Sequence, residues 1–97
     1  MSPIVIYSRD MCSWCTKAKK LFTDLGLGYR EIKLNPESDW YKLEKNLLYK
    51  KTRQNTFPFI FVGDEFIGGY DAFVHASCTT LPGKLSRYGI VLSTEDF

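Results

Sequence analysis

A chain of 97 residues, 44% of them hydrophobic and 25% charged, is long enough to build one core and too short for two, so residues 1–97 are expected to form a single domain. A net charge of +2 is too small to mark a nucleic-acid binder, and no apolar run approaches the roughly 20 residues that cross a bilayer. With no basic start and apolar signal segment, the chain is expected in the cytoplasm. Its three cysteines, few and odd in number, argue against a disulfide-stapled secreted scaffold.

Pro3-Ile4-Val5-Ile6-Tyr7 is a β-branched apolar run that reads as a buried strand, ended by the polar Ser8-Arg9-Asp10-Met11. Cys15, Ala18, Leu21, Phe22 and Leu25 then recur at helical spacing, and Gly26-Leu27-Gly28 stops that helix. Tyr29 to Leu34 reads as a second strand, and strand, helix and strand within this length imply a right-handed parallel crossover. After the turn Asn35-Pro36-Glu37-Ser38, a second helix carries Trp40, Leu43, Leu47 and Leu48 as its apolar stripe, with Trp40 expected in the core. Lys17, Lys19 and Lys20, and again Lys50, Lys51 and Arg53, read as solvated helix faces or ends.

Phe57-Pro58-Phe59-Ile60-Phe61-Val62 is the most apolar stretch and should be a central strand. Gly63-Asp64 turns it into an antiparallel partner, Glu65 to Gly68. A third helix opens at Tyr70-Asp71 and runs through Ala76. Leu81-Pro82-Gly83 is expected to interrupt the chain before a short helical turn at Lys84 to Tyr88, and Gly89 to Phe97 gives no signal. The order β-α-β-α-β-β-α places the chain in the α/β class, a four-stranded mixed sheet with helices on both faces.

The chemistry-bearing stretch is Cys12-Ser13-Trp14-Cys15, where the first strand meets the first helix. There the unpaired N–H groups and the positive end of the helix dipole favour a thiolate on Cys12, with Arg9 nearby, while Cys15 falls on the apolar stripe. Two thiols so close are redox-active or metal-binding. A zinc set of Cys12, Cys15, His75 and Cys78 exists on paper, although Cys78 is more simply a small buried hydrophobe.

That element order, with this motif at the first junction, resembles the thioredoxin fold, and the details resemble a glutaredoxin from Ile4 to Cys78. Cys12-Ser13-Trp14-Cys15 is similar to the family's Cys-Pro-Tyr-Cys, with Arg9 where a lysine is usual. Thr56-Phe57-Pro58 is similar to Thr-Val-Pro, whose proline is cis and faces the active site. Gly68-Gly69-Tyr70-Asp71 is similar to the Gly-Gly-x-Asp that binds glutathione. The departures are Ser13 for proline, Trp14 for tyrosine and Phe57 for valine.

The resemblance implies a glutathione-dependent thiol–disulfide oxidoreductase, a monomer acting on glutathionylated or disulfide-containing proteins. Cys12 is the expected nucleophile and Cys15 the resolving thiol. Glutathione, the co-substrate, is expected to lie against Arg9, Trp14, Gln54, Phe57, Pro58, Gly69, Tyr70 and Asp71. Arg9 and Gln54 would take its glycyl carboxylate, the N–H groups of Tyr70 and Asp71 its γ-glutamyl carboxylate, and Asp71 its ammonium; Asp71 also reads as a helix cap. Trp14 reads as a cleft wall. Some relatives with Cys-Ser-aromatic-Cys motifs hold a [2Fe–2S] cluster between two subunits, so Cys12 as a cluster ligand is the alternative function.

Overall fold

The computed structural model describes residues 2–90. Strand β1 (Ile4–Arg9) alternates strictly, turning Ile4, Ile6 and Ser8 fully inward on one face. It pairs in parallel with β2 (Arg30–Leu34) and antiparallel with β3 (Phe59–Val62), which pairs antiparallel with β4 (Glu65–Gly68). The sheet order is β2-β1-β3-β4, the four-stranded mixed sheet expected from the element order.

The strand does not break at Ser8. Ser8 and Arg9 pair with Lys33 and Leu34 of β2, and the buried Ser8 hydroxyl donates to Glu31 Oε2 at 2.5 Å, so the polar side chain is satisfied inside the ladder. Conversely, β3 begins at Phe59, not Phe57, and the Phe57–Pro58 peptide ahead of it is cis, as the resemblance implies.

Helices α1 (Ser13–Asp24), α3 (Tyr70–Ser77) and α4 (Leu81–Ser86) cover one face, where Phe22, Phe73, Leu81 and Leu85 close over Ile4, Ile6, Ile60 and Val62. Phe22 and Phe73 meet edge-on at 4.9 Å between ring centroids. Leu81-Pro82-Gly83 opens α4 instead of interrupting the chain: proline in the first turn has no helical N–H to lose, and Leu81 is drawn into the core.

The other face carries α2 (Tyr41–Thr52) alone, over Leu34, Phe59 and Phe61. Here the expected stripe is corrected. Only Leu48 of that set is buried; Trp40 is 64% exposed, and Leu43 and Leu47 are also exposed. The direction that faces the sheet runs through Leu48 and the partly buried Tyr41, seven residues apart, and Trp40, Leu43 and Leu47 lie off it. Cys78 is corrected as well: α3 ends at Ser77, and the thiol is exposed at the C-cap. Of the tail without a predicted element, residues 91–97 lie outside the described residues.

At the β4–α3 junction Gly68 has φ +134°, and a Cβ built there would lie 2.6 Å from that of Ala72. A side chain is excluded on both grounds, which keeps the start of α3 close against the sheet.

Candidate active site

Cys12 is the N-cap of α1. Its backbone is extended, and its sulfur accepts the N–H of Cys15 at 3.2 Å, the place a serine or aspartate oxygen commonly takes. Cys12 is partly exposed, whereas Cys15, one turn in, is 2% exposed. The two sulfurs are joined as a disulfide, with the Cα atoms 5.3 Å apart. Met11, immediately before, is almost wholly exposed at φ +61°, so the chain enters the helix through a left-handed residue.

A groove of about 450 Å³ runs beside this helix start. Trp14, Gln54, Phe57, Pro58, Gly69, Tyr70 and Asp71 all line it, together with Thr56 and Ala72. Three separated parts of the chain converge there: the first turn of α1, the loop through the cis peptide and the first turn of α3. A second cleft of about 310 Å³ shares Trp14, Thr56 and Phe57 with it and reaches Arg9, Met11 and Cys12. Every sequence-predicted binding residue therefore lies on one of two adjoining concavities that meet beside Cys12.

The individual geometries refine this picture. Gly69 is the N-cap of α3 and makes no side-chain cap, so the first N–H groups of α3, which have no intrahelical partners, are not capped either, and the residues that carry them, Tyr70 and Asp71, line the groove. Asp71, in that first turn, is exposed and does not cap the helix, which corrects the capping reading. The Gln54 side chain is placed in the groove, but its amide nitrogen donates to the carbonyls of Thr56 at 2.7 Å and Pro58 at 2.9 Å. It braces the loop, and both of its amide N–H donors are taken, leaving none for a carboxylate. Arg9 lies with its guanidinium carbon 5.8 Å from the Phe57 ring centroid.

Lys45, which the sequence did not single out, lines the cleft with Arg9 and Cys12. It is one of several lysines interleaved along α2, and only the packing of that helix brings it to the cleft. The zinc set is not assembled: among the described residues no three His, Cys, Asp or Glu side chains gather as a metal site. Among the described residues no helix is long and apolar enough to cross a membrane.

Against known proteins, the glutaredoxin family model matches residues 4–67. Glutaredoxin-C6 of Oryza sativa subsp. japonica is 40% identical over 70 residues, covering 72% of this chain and 62% of that relative. Mitochondrial glutaredoxin-2 of Homo sapiens is 42% identical over 66 residues, covering 68% of this chain and 40% of that one. The chain thus spans less than two thirds of the length of either. Among solved structures, the buckwheat glutaredoxin–glutathione complex superposes with a TM-score of 0.80 at 31% identity, over 93% of this chain and 82% of the other. The holo form of glutaredoxin C1 from Populus tremula x tremuloides gives 0.78 at 29%, over 89% and 85%. The names of the relatives include mitochondrial and chloroplastic proteins, so they lend the cytoplasmic expectation no support.

Proposed function

The chain belongs to the glutaredoxin family, and from that premise we propose that it is a glutathione-dependent thiol–disulfide oxidoreductase that reduces protein–glutathione mixed disulfides through Cys12. The observation that carries this reading is the placement of a partly exposed sulfur at the N-cap of α1, at the meeting point of two concavities built from three distant parts of the chain.

With the disulfide reduced, the Cys12 sulfur faces the Cys15 N–H and the positive end of α1, both of which stabilise its anion. The thiolate attacks the glutathione sulfur of the mixed disulfide; the new Cys12–glutathione bond forms, and the protein thiolate leaves and is protonated by water. A second glutathione thiolate then attacks the glutathione sulfur of the adduct, restoring Cys12 and releasing oxidised glutathione. Alternatively, Cys15 attacks Cys12 and closes the disulfide seen in the structure.

Recognition follows from chemistry. Glutathione carries two carboxylates and an ammonium. The free N–H groups of Tyr70 and Asp71 at the start of α3 suit the γ-glutamyl carboxylate, and the Asp71 carboxylate suits the adjacent ammonium. The Phe57 backbone beside the cis peptide offers strand-like hydrogen bonds to the cysteinyl unit. Arg9 and Lys45 supply positive charge for the glycyl carboxylate, while Gln54 holds the loop between Thr56 and Pro58 in shape.

The test is reduction of a glutathionylated protein coupled to glutathione. Cys12→Ser should abolish turnover, and Cys15→Ser should retain it while losing most reduction of dithiol-type disulfides. Full activity in Cys12→Ser overturns the assignment. The same preparation, made anaerobically, tests the cluster-binding alternative: visible absorbance that needs both Cys12 and glutathione would favour it.

A further inference from the structure

Closing the disulfide asks Cys15 to do something its position opposes. Cys15 attacks as a thiolate, yet it is 2% exposed, and burial disfavours the charged form of a thiol. The helix-start N–H nearest the pair, that of Cys15 itself, points at the Cys12 sulfur. A buried sulfur with a developing negative charge needs a cation close by, and the glutathione groove supplies none to it.

The opposite flank of the motif does. A third concavity, of about 390 Å³, is lined by Arg9, Asp10, Met11, Cys12, Cys15, Lys19 and Lys33 together with Ser13 and Thr16. Lys19 is one helical turn beyond Cys15, and helical side chains lean back over the preceding turn, so its stem runs toward Cys15. Its side chain is only 25% exposed, and it is held: Lys19 Nζ donates to Glu31 Oε2 at 3.0 Å. The hydroxyl of Ser8 donates to that same oxygen.

Ser8 is fully buried and is the one buried polar residue among those described, at the active-site end of β1 beneath α1. A buried serine on β1 and a lysine on α1 thus donate to one carboxylate oxygen on β2, and the lysine of this trio lines the concavity with both cysteines. Glu31 Oε2 occupies one of the three N–H donors of Lys19, leaving two for the cleft.

We propose that Lys19, tethered by Glu31 and Ser8, is the positioning cation for Cys15: it stabilises negative charge on that sulfur as the intramolecular disulfide closes. The inference rests on the two-cysteine route proposed above. In that step the Cys15 thiol loses its proton to water in the cleft and its sulfur attacks the Cys12 sulfur of the glutathione adduct. The Cys12–Cys15 bond forms, the Cys12–glutathione bond breaks, and glutathione leaves as a thiolate that water protonates; the mixed disulfide is the oxidant.

The other charges lining this concavity are Arg9 on β1, Asp10 in the connecting loop and Lys33 on β2, with Glu31 reaching it only through Lys19. Lys33 and Asp10 pair with each other at 3.4 Å, with both side chains more than half exposed, so water screens that pair. Arg9 is half-buried as well, but its guanidinium is held elsewhere, against the Phe57 ring and donating to the Asp10 carbonyl at 3.3 Å, which leaves Lys19 as the sheltered cation that leans from the turn after Cys15.

The experiment mixes the reduced chain, carrying Cys78→Ser to remove the exposed third thiol, with oxidised glutathione. Acid quenching and mass spectrometry then follow the reduced, glutathione-adduct and closed-disulfide species in time. Lys19→Met, which keeps the aliphatic stem, should slow conversion of adduct to closed disulfide by about tenfold near neutral pH, the effect of losing a single nearby charge. Its rate-against-pH curve should move to higher pH instead of scaling down uniformly, and Lys19→Arg should restore most of the rate. Closure in Lys19→Met at the unmodified rate, or a loss that arginine leaves unrepaired, would overturn the proposal. Failure of the unmodified chain to form any Cys12 adduct would instead overturn the oxidoreductase reading, so the two failures are separately visible.

Discussion

The indole of Trp14 and the phenol ring of Tyr70 lie 5.6 Å apart, tilted 45° to each other, and this contact ties the first turn of α1 to the first turn of α3 across the end of the groove. Trp14 also receives the Lys17 ammonium at 4.4 Å from its ring centroid. The pair makes Trp14 a wall whose position depends on α3. Trp14→Ala should raise KM for glutathione by about 2- to 10-fold, since an aromatic pair is worth about 0.5–1.5 kcal/mol. Initial-rate kinetics would check it; an unchanged KM would mean that the indole is a bystander.

Asp71 stands in the first turn of α3 with its carboxylate exposed to the groove and no capping duty. Asp71→Ala should raise KM for glutathione by roughly 10-fold or more, as a charge-assisted hydrogen bond is worth about 1.5–3 kcal/mol, with a smaller change in kcat. Steady-state kinetics over a range of glutathione concentrations separates the two. A defect confined to kcat would remove Asp71 from the binding site.

The hydrogen bond from Ser8 is the largest influence on the Glu31 carboxyl; burial opposes it, and the hydrogen bond and charge of Lys19 and the charge of Lys33 add to it, so the group is held below the ordinary glutamate value of 4.5. A folded-state pKa lowered in this way contributes stability that is present above the unfolded-state pKa and is lost as pH falls through the folded-state one. Urea unfolding of the chain and of Glu31→Gln should therefore differ at pH 7, by about 1 kcal/mol for a pair sheltered on most sides but still about a quarter exposed to water. The gap should shrink as pH drops below 4.5 and close in strong acid. A gap independent of pH would show that the charge on Glu31 contributes nothing.

Much of this was legible in the residues, and the remainder was hidden for identifiable reasons. Alternation in β1, the period of α1 and the Gly63-Asp64 turn are local signals, and each leads to the element observed. The motif residues Cys12, Phe57, Pro58, Gly69 and Asp71 converge because the element order, a βαβ unit followed by a β-hairpin and a helix, fixes where strand ends and helix starts meet. Trp40 went astray for a different reason. A helix with apolar residues all along it has several possible stripes, and which one is buried depends on how it lies on the sheet; Leu48 and Tyr41 won that contact. Lys45 and Lys19 look like ordinary surface lysines until tertiary packing brings one to the cleft and the other to Glu31. Ser8 read as a strand breaker because its partner, Glu31, lies 23 residues away.

The central claim is that Cys12, at the N-cap of α1, is an anion at neutral pH once reduced. Its most direct measurement is a pH titration of thiolate absorbance in the reduced chain carrying Cys15→Ser and Cys78→Ser, so that Cys12 is the sole thiol. The account predicts a midpoint well below the roughly 8.5 of free cysteine, with the sulfur mostly ionised at pH 7. A sulfur still protonated at pH 7, titrating where an unfolded peptide thiol does, would contradict it.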